Sequence, residues 1–283
     1  MSPRAVAGMI PRLEIPETLF LIAGSGRYPG LVIEEARRAG VRKVVAAVFE
    51  KETAPATIEA ADSIHTMRVG QLGKLLDAAR ASGAACAIMA GQIAPKNLFD
   101  LRPDLKALVL LARLERRNAE TLFGEVARQL ASVGVELLPA TTFLDAHLAK
   151  PGLIAGPALK KRALADISFG FSIAKETSRM DIGQSVVVKN GTVLAVEAFE
   201  GTDDCLARGG ALGRGGAILV KVNKPGQDMR FDVPVIGLRT VERAAASGVA
   251  VLAIEAGSTL LLDAPEVGKA AAAAGISLYG VTP

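Results

Sequence analysis

The 283-residue sequence predicts an α/β protein of two α/β domains: an N-terminal Rossmann-like parallel sheet, then a C-terminal mixed sheet, with a cleft between them for a ligand. Three observations carry that expectation. Short apolar runs alternate with helical patterns through the first half, the rhythm of a parallel sheet. In the second half Ser185-Val-Val-Val-Lys189 and Thr192-Val-Leu-Ala-Val196 flank Asn190-Gly191, a hairpin signature that demands an antiparallel pair. Between the halves, residues 141–156 lose all periodicity and carry Pro151, Gly152 and Gly156, which places a domain boundary near residue 140.

Taken in order, residues 18–23 form an apolar strand ending at Gly24-Ser-Gly26, and residues 31–38 a helix stopped by Gly40. Residues 43–49 are apolar throughout, as a strand covered on both faces should be. A helix over 69–80 stops at Gly83, and a third strand over 85–90 runs into the loop Gly91-Gln-Ile-Ala-Pro-Lys96. Helices over 104–113 and 119–132 and a short strand at 136–139 close the first half. The second half opens with a helix around 166–177, then the hairpin. Strands at 218–222, 250–254 and 277–279 follow, with helices at 241–246 and 266–274 between them.

Composition narrows the function classes. Half the residues are hydrophobic, mostly aliphatic, and Trp is absent, so the chain can bury cores of this size. The net charge of +4 comes from 33 basic and 29 acidic residues spread evenly, without the basic run interleaved with aromatics that marks a nucleic-acid groove. Cys86 and Cys205 stand alone, at neither metal-ligand nor redox spacing, which suits a reducing cytosol. No apolar run reaches bilayer-spanning length and residues 1–9 lack a signal-peptide core, so a soluble, cytoplasmic protein is expected. His65 and His147 are too few for a zinc site and read as surface residues; no nucleophilic triad is visible.

Several stretches carry chemistry. Gly24-Ser-Gly-Arg-Tyr-Pro-Gly30 after the first strand suits backbone contact with phosphate, with Glu50 as a ribose acid, although its spacing departs from G-x-G-x-x-G and Pro29 removes a donor. A plain strand-to-helix turn would look the same. Ala90-Gly-Gln-Ile-Ala-Pro-Lys-Asn97 is a polar loop at a strand end that could read a nucleobase or phosphate. Glu197-Ala-Phe-Glu-Gly-Thr-Asp-Asp204 places four carboxylates where the hairpin's second strand gives way to a loop, and these must repel unless a cation sits among them. Further on, Lys221, Lys224 and Arg230 flank Asp228 and Asp232. Cations hold phosphate oxygens and carboxylates hold a divalent ion, the pairing that diphosphate cleavage needs. Structural ion pairing remains the plainer alternative for both stretches.

The chain resembles the LpxI-type UDP-2,3-diacylglucosamine pyrophosphatases. The resemblance rests on Leu21-Ile-Ala-Gly-Ser-Gly-Arg-Tyr-Pro29, Gly70-Gln-Leu-Gly-Lys74, Ala90-Gly-Gln-Ile-Ala-Pro95 and Arg179-Met-Asp-Ile-Gly-Gln184. It continues through Val193-Leu-Ala-Val-Glu-Ala-Phe-Glu-Gly-Thr-Asp203, Lys221, Lys224-Pro225, Arg230-Phe-Asp-Val-Pro-Val-Ile-Gly237 and Glu255-Ala-Gly257. Residues 1–18 fall outside it and read as an N-terminal extension, leaving domains at 19–140 and 141–283. The resemblance implies Mg²⁺- or Mn²⁺-dependent hydrolysis of UDP-2,3-diacylglucosamine to UMP and lipid X, a step of lipid A biosynthesis. It implies catalytic roles for Asp232, Glu200 and Asp203, and metal ligation by Asp232, Glu197 and Glu200. Substrate contacts fall to Gly24, Ser25, Gly26, Gly91, Gln92, Gln184, Lys221, Lys224 and Arg230. Where the family commonly has adjacent aspartates, this chain has Ala119-Glu120 after Asn118. An apolar groove for the acyl chains is expected from the second domain. The partner is thus a lipid-linked sugar nucleotide and not nucleic acid, with room left for peripheral contact with the inner membrane and for a homodimer. The rival readings are a nicotinamide oxidoreductase using Gly24 to Gly30 and a sugar-nucleotide sensor without turnover.

Overall fold

The computed structural model describes residues 15–93, 103–114 and 119–282. The loop residues Lys96 and Asn97, and Asn118, lie outside them.

The first sheet contains β1 (Thr18–Ala23), β2 (Lys43–Phe49), β3 (Ser63–Met67), β4 (Cys86–Ala90) and β5 (Glu136–Leu137), all parallel, in the order β3-β2-β1-β4-β5. β1 and β2 are apolar along nearly their whole length because helices cover both faces. Leu19, Leu21, Val44 and Ile88 face one core, which includes α1 (Tyr28–Ala39); Phe20, Ile22, Val45 and Ala87 face the other, packed by α3 (Leu72–Ser82). α4 (Leu105–Arg113) and α5 (Ala119–Ser132) complete that second layer. Strand order reverses between β1 and β4, so the turns at Gly24 and Gly91 sit at the switch point where doubly wound sheets bind ligands. Two elements of this first domain had no sequence expectation: α2 (Pro55–Ala60) and β3. β3 is an edge strand, buried only at Met67, and its polar residues conceal it; His65, expected at the surface, sits partly covered within it.

The second sheet is mixed, in the order β6-β13-β11-β9-β7-β8. β6 (Gly152–Ala155) is an antiparallel edge beside β13 (Ser277–Val281), which runs parallel to β11 (Val249–Glu255) and β9 (Ala217–Lys221). β7 (Ser185–Lys189) and β8 (Thr192–Val196) form the expected hairpin, with Asn190 and Gly191 both at positive φ. Its turn is also capped from outside: the Asp166 carboxylate of α6 (Lys161–Arg179) accepts from the Asn190 and Gly191 amides at 2.8 and 2.7 Å. A two-stranded pair, β10 (Val235–Ile236) with β12 (Leu260–Leu261), lies apart, and α8 (Leu238–Ala246) and α9 (Ala264–Ala273) flank the sheet.

The acidic stretch is not the loop expected of it. Residues after Gly201 wind into α7 (Thr202–Gly213), with Asp203 and Asp204 in its first turn, where the helix dipole favours negative charge. Gly209, Gly210 and Gly213 lower helix propensity and hide α7 in the sequence, yet packing requires them. A Cβ on Gly209 would lie 2.4 Å from the Val187 Cβ.

The two domains meet through specific contacts. Ala140, whose carbonyl accepts from the Tyr28 hydroxyl at 2.6 Å within the first domain, donates its amide across to the Met229 carbonyl at 2.7 Å. His147, expected at the surface, is instead mostly covered and bonds Glu35 of α1 at 3.0 Å. Arg27 pairs with Asp263 at 3.3 Å.

Candidate active site

The loop after β9 organises the site. Its start is clamped: Glu255 at the end of β11 is buried, accepts from the Asn223 amide at 2.8 Å, and pairs with Lys175 of α6 at 2.7 Å. Lys175 also donates to the Asn223 carbonyl. The loop then crosses to the first domain, where Phe231 packs into the core beside α5, its ring 5.6 Å from that of Phe123. Asp232 follows directly and turns into a polar pocket of ≈180 Å³ that it shares with Asp181, Gln184, Glu197 and Lys224.

Within that pocket the charges are arranged with few shared bonds. Desolvation at the pocket pushes the Asp232 carboxyl above its ordinary value, while Gln227, Lys224 and Lys221 pull it down and Glu120 adds to the rise. The Gln227 amide nitrogen nears Asp232 but completes no hydrogen bond of good geometry. Glu197 is buried; one oxygen accepts from Thr202 at 2.9 Å and the other, Oε2, has no partner. Lys221 donates to the same Thr202 hydroxyl at 3.1 Å. Burial pushes the Lys221 ammonium below its ordinary value, against the pull of Glu197, Asp203 and Asp232. Lys224 bridges Asp181 at 2.8 Å and Glu120 of α5 at 3.1 Å, and those bonds hold it above its ordinary value. Glu120, where the family pattern departs, therefore does reach the site's edge.

Other expected residues are placed elsewhere. Glu200 turns away from the pocket to Arg208 at 2.5 Å and caps the Ala198 amide; its own backbone amide and then Arg208 hold it below the usual carboxylate range. Asp203 pairs with Arg239 at 2.8 Å. Arg230 closes a two-pronged pair with Asp228, at 2.7 and 2.9 Å, and borders a separate hollow beside Pro139. The expected metal trio Asp232, Glu197 and Glu200 is therefore not assembled, and among the described residues no group of three His, Cys, Asp or Glu could hold an ion. Mg²⁺ usually takes only one or two carboxylates and fills its shell with water and phosphate oxygens. Glu197, with its orphaned Oε2, and Asp232 in the same pocket fit that smaller requirement.

The glycine turns of the first domain are stitched together. Ser25 and Gln92 exchange backbone bonds at 2.8 and 3.3 Å, and the Ser25 hydroxyl donates to the Gln92 carbonyl at 2.6 Å. A Cβ on Gly24 or Gly91 would come within 2.9 Å of the opposing backbone, so both glycines serve this close approach. The Ser25 and Gln92 amides expected to face a phosphate are thus spent on each other. Gly26, at φ 87°, follows them into α1. None of these residues lines the polar pocket.

An apolar pocket of ≈140 Å³ lies in the first domain, lined almost wholly by carbon from Ile22, Phe49, Met67, Met89, Leu110 and Phe123 among others. This apolar pocket belongs to the first domain, whereas the sequence expectation is of an apolar groove in the second. Gln71 and Leu72 of the Gly70-to-Lys74 motif stand at it, which gives that motif a structural place. Periodicity could not have found this pocket, because its lining comes from four strand ends and three helices.

Residues 18–147 match the LpxI N-terminal domain and residues 150–279 the LpxI C-terminal domain. The chain belongs to the LpxI family. A relative named UDP-2,3-diacylglucosamine pyrophosphatase LpxI, from Caulobacter vibrioides, is 33% identical over 276 residues, covering 94% of this chain and 98% of that protein. Among solved structures, the biotin carboxylase domain of Hydrogenobacter thermophilus 2-oxoglutarate carboxylase is 17% identical over 63% of this LpxI-family chain and 36% of its own, at a TM-score of 0.27. The biotin carboxylase subunit of pyruvate carboxylase is 15% identical over 61% and 34%, at the same TM-score. The chain spans about a third of each, and likeness that slight bears on nothing argued below.

Proposed function

We propose that this LpxI-family protein hydrolyses the diphosphate of UDP-2,3-diacylglucosamine to UMP and 2,3-diacylglucosamine 1-phosphate in lipid A biosynthesis. One observation carries the reading beyond the family name. Phe231 packs against Phe123, whose ring helps line the apolar pocket, while the adjacent Asp232 opens into the polar one. A single turn of chain thus joins a place for acyl carbon to a place for phosphate charge, which are the two ends of such a substrate.

In this reading Lys221 and Lys224 meet the diphosphate oxygens, Lys224 by exchanging carboxylate partners for phosphate. Asp232, an exposed residue whose carboxyl is partly desolvated at the pocket and so favours a proton more than usual, orients the attacking water and accepts its proton as the new phosphorus–oxygen bond forms and the bridging bond breaks. Gln184, on the pocket wall, orients a phosphate or sugar group. Glu197 and Asp232 would hold the Mg²⁺ or Mn²⁺. When bound, that ion would offset phosphate charge and acidify water. Gly24 to Gly26 and Gly91-Gln92, stitched to one another, hold the turns of the first domain together rather than cradling phosphate. That stitching also weighs against the nicotinamide reading, which needs those amides free. A substrate with two acyl chains resides in a bilayer, so the reading brings peripheral membrane contact with it.

The test is release of UMP from UDP-2,3-diacylglucosamine by the purified protein, with Mg²⁺, with Mn²⁺ and with a chelator. Rapid release that needs a divalent ion and disappears in Asp232→Ala is expected. Tight binding of the nucleotide with no UMP from the wild type would replace hydrolysis by sensing.

A further inference from the structure

α4 carries apolar side chains on two sides. Ala107, Leu110 and Leu111 line the apolar pocket, while Leu105, Leu108 and Val109 face outward at 77, 50 and 44% exposure. Three aliphatic side chains this open on one nine-residue helix are costly for a surface that meets only water. The helix is held firmly: Asp104 caps the Ala107 amide at 2.9 Å and also accepts from the Gly73 amide at 2.6 Å, tying the start of α4 to the start of α3. That tie places two cations beside the apolar face. The stem of Lys106 runs past Gly73, next to Lys74, and both lysines are exposed. Among the described residues neither forms an ion pair, whereas Arg80 and Arg128 nearby are neutralised by Asp77 and Glu125.

We propose that the outward face of α4, with Lys74 and Lys106, docks on an anionic lipid bilayer. An apolar stripe bordered by unpaired lysines is the chemistry of a helix lying in a headgroup layer, the leucines entering the acyl boundary and the ammonium groups meeting lipid phosphate. A lipid surface fits better than a second copy of the chain, because the unpaired Lys74 and Lys106 beside the apolar stripe complement anionic headgroups. The choice rests also on the proposed lipid substrate. Docked this way, the helix that walls the apolar pocket is the helix in the membrane, and acyl chains pass around it from bilayer to pocket without crossing water.

Flotation of the purified protein with vesicles of phosphatidylglycerol and phosphatidylcholine in equal parts tests this. The wild type is expected to float, less so as salt rises. L105E combined with V109E should lower the vesicle-bound to free ratio roughly tenfold or more, and K74Q with K106Q should weaken binding and flatten its salt dependence. Phe199→Glu, at a fully exposed position in the second domain, should float as the wild type does. A wild type that does not float, an α4 variant that floats unchanged, or a loss seen only in Phe199→Glu would overturn the proposal. So would a wild-type dimer that L105E with V109E dissociates. UMP release in detergent is measured alongside: turnover without flotation refutes the docking face, and flotation without turnover refutes the substrate instead.

Discussion

At the scale of single residues, the two halves of the acidic stretch part company. Glu197 is buried with an oxygen that nothing satisfies, while Glu200 and Asp203 are neutralised by Arg208 and Arg239. Identity alone could not separate them, since all three are carboxylates within seven residues; burial and partner decide. Asp232→Asn should therefore cut the turnover number by about 10² to 10⁴ with little change in melting temperature, whereas Glu200→Gln should leave turnover within about twofold because an exposed ion pair is worth little. Steady-state UMP release distinguishes the two. Cys205 gives a separate residue-scale expectation. Burial pushes its thiol from 9.0 to about 12. The folded state thus holds this proton more tightly than the unfolded chain, so the associated stability is intact below the unfolded value and is lost as pH climbs from there toward about 12. Urea midpoints taken at about pH 8 and about pH 10.5 should fall further for the wild type than for Cys205→Ala.

At the scale of elements, β1, β2 and the β7–β8 hairpin were legible because their patterns and their burial agree: continuous apolar runs for strands covered on both faces, and Asn-Gly for a turn with two positive φ angles. β3 and α7 were not. The edge strand has too little buried surface to imprint a pattern, and α7 spends its helix propensity on glycines that let it press against Val187. Nor could any local signal reveal that Asp166, on α6, satisfies both amides of the hairpin turn, a contact across 24 and 25 residues. Asp166→Ala should leave those two amides without their partner and cost about 1–3 kcal/mol in urea unfolding. Asp166→Asn should recover only part of it, since an amide offers one acceptor where the carboxylate offers two.

At the scale of the molecule, the family motifs were visible as strings, and so was the pairing of cations with carboxylates around residues 221–232. What the sequence could not show was direction: Arg230 and Asp232 are two residues apart, yet the first faces Asp228 and the second the polar pocket, because Phe231 between them is drawn into the other domain's core. Phe231→Ala should remove that anchor and lower the turnover number by more than tenfold while costing about 1–3 kcal/mol of stability, less than a fully enclosed aromatic would. Circular dichroism and UMP release measured on one preparation would separate the two effects. The same anchor also governs how a catalytic cycle ends. After hydrolysis in the proposed reading, UMP would leave only polar contacts, while the acylated sugar phosphate would keep its chains in the apolar pocket beside Phe123. Departure of that product would then be the slow, orderly final step, a handing-over rather than a release. Inhibition by added lipid X should accordingly be competitive and strong, and inhibition by UMP weak.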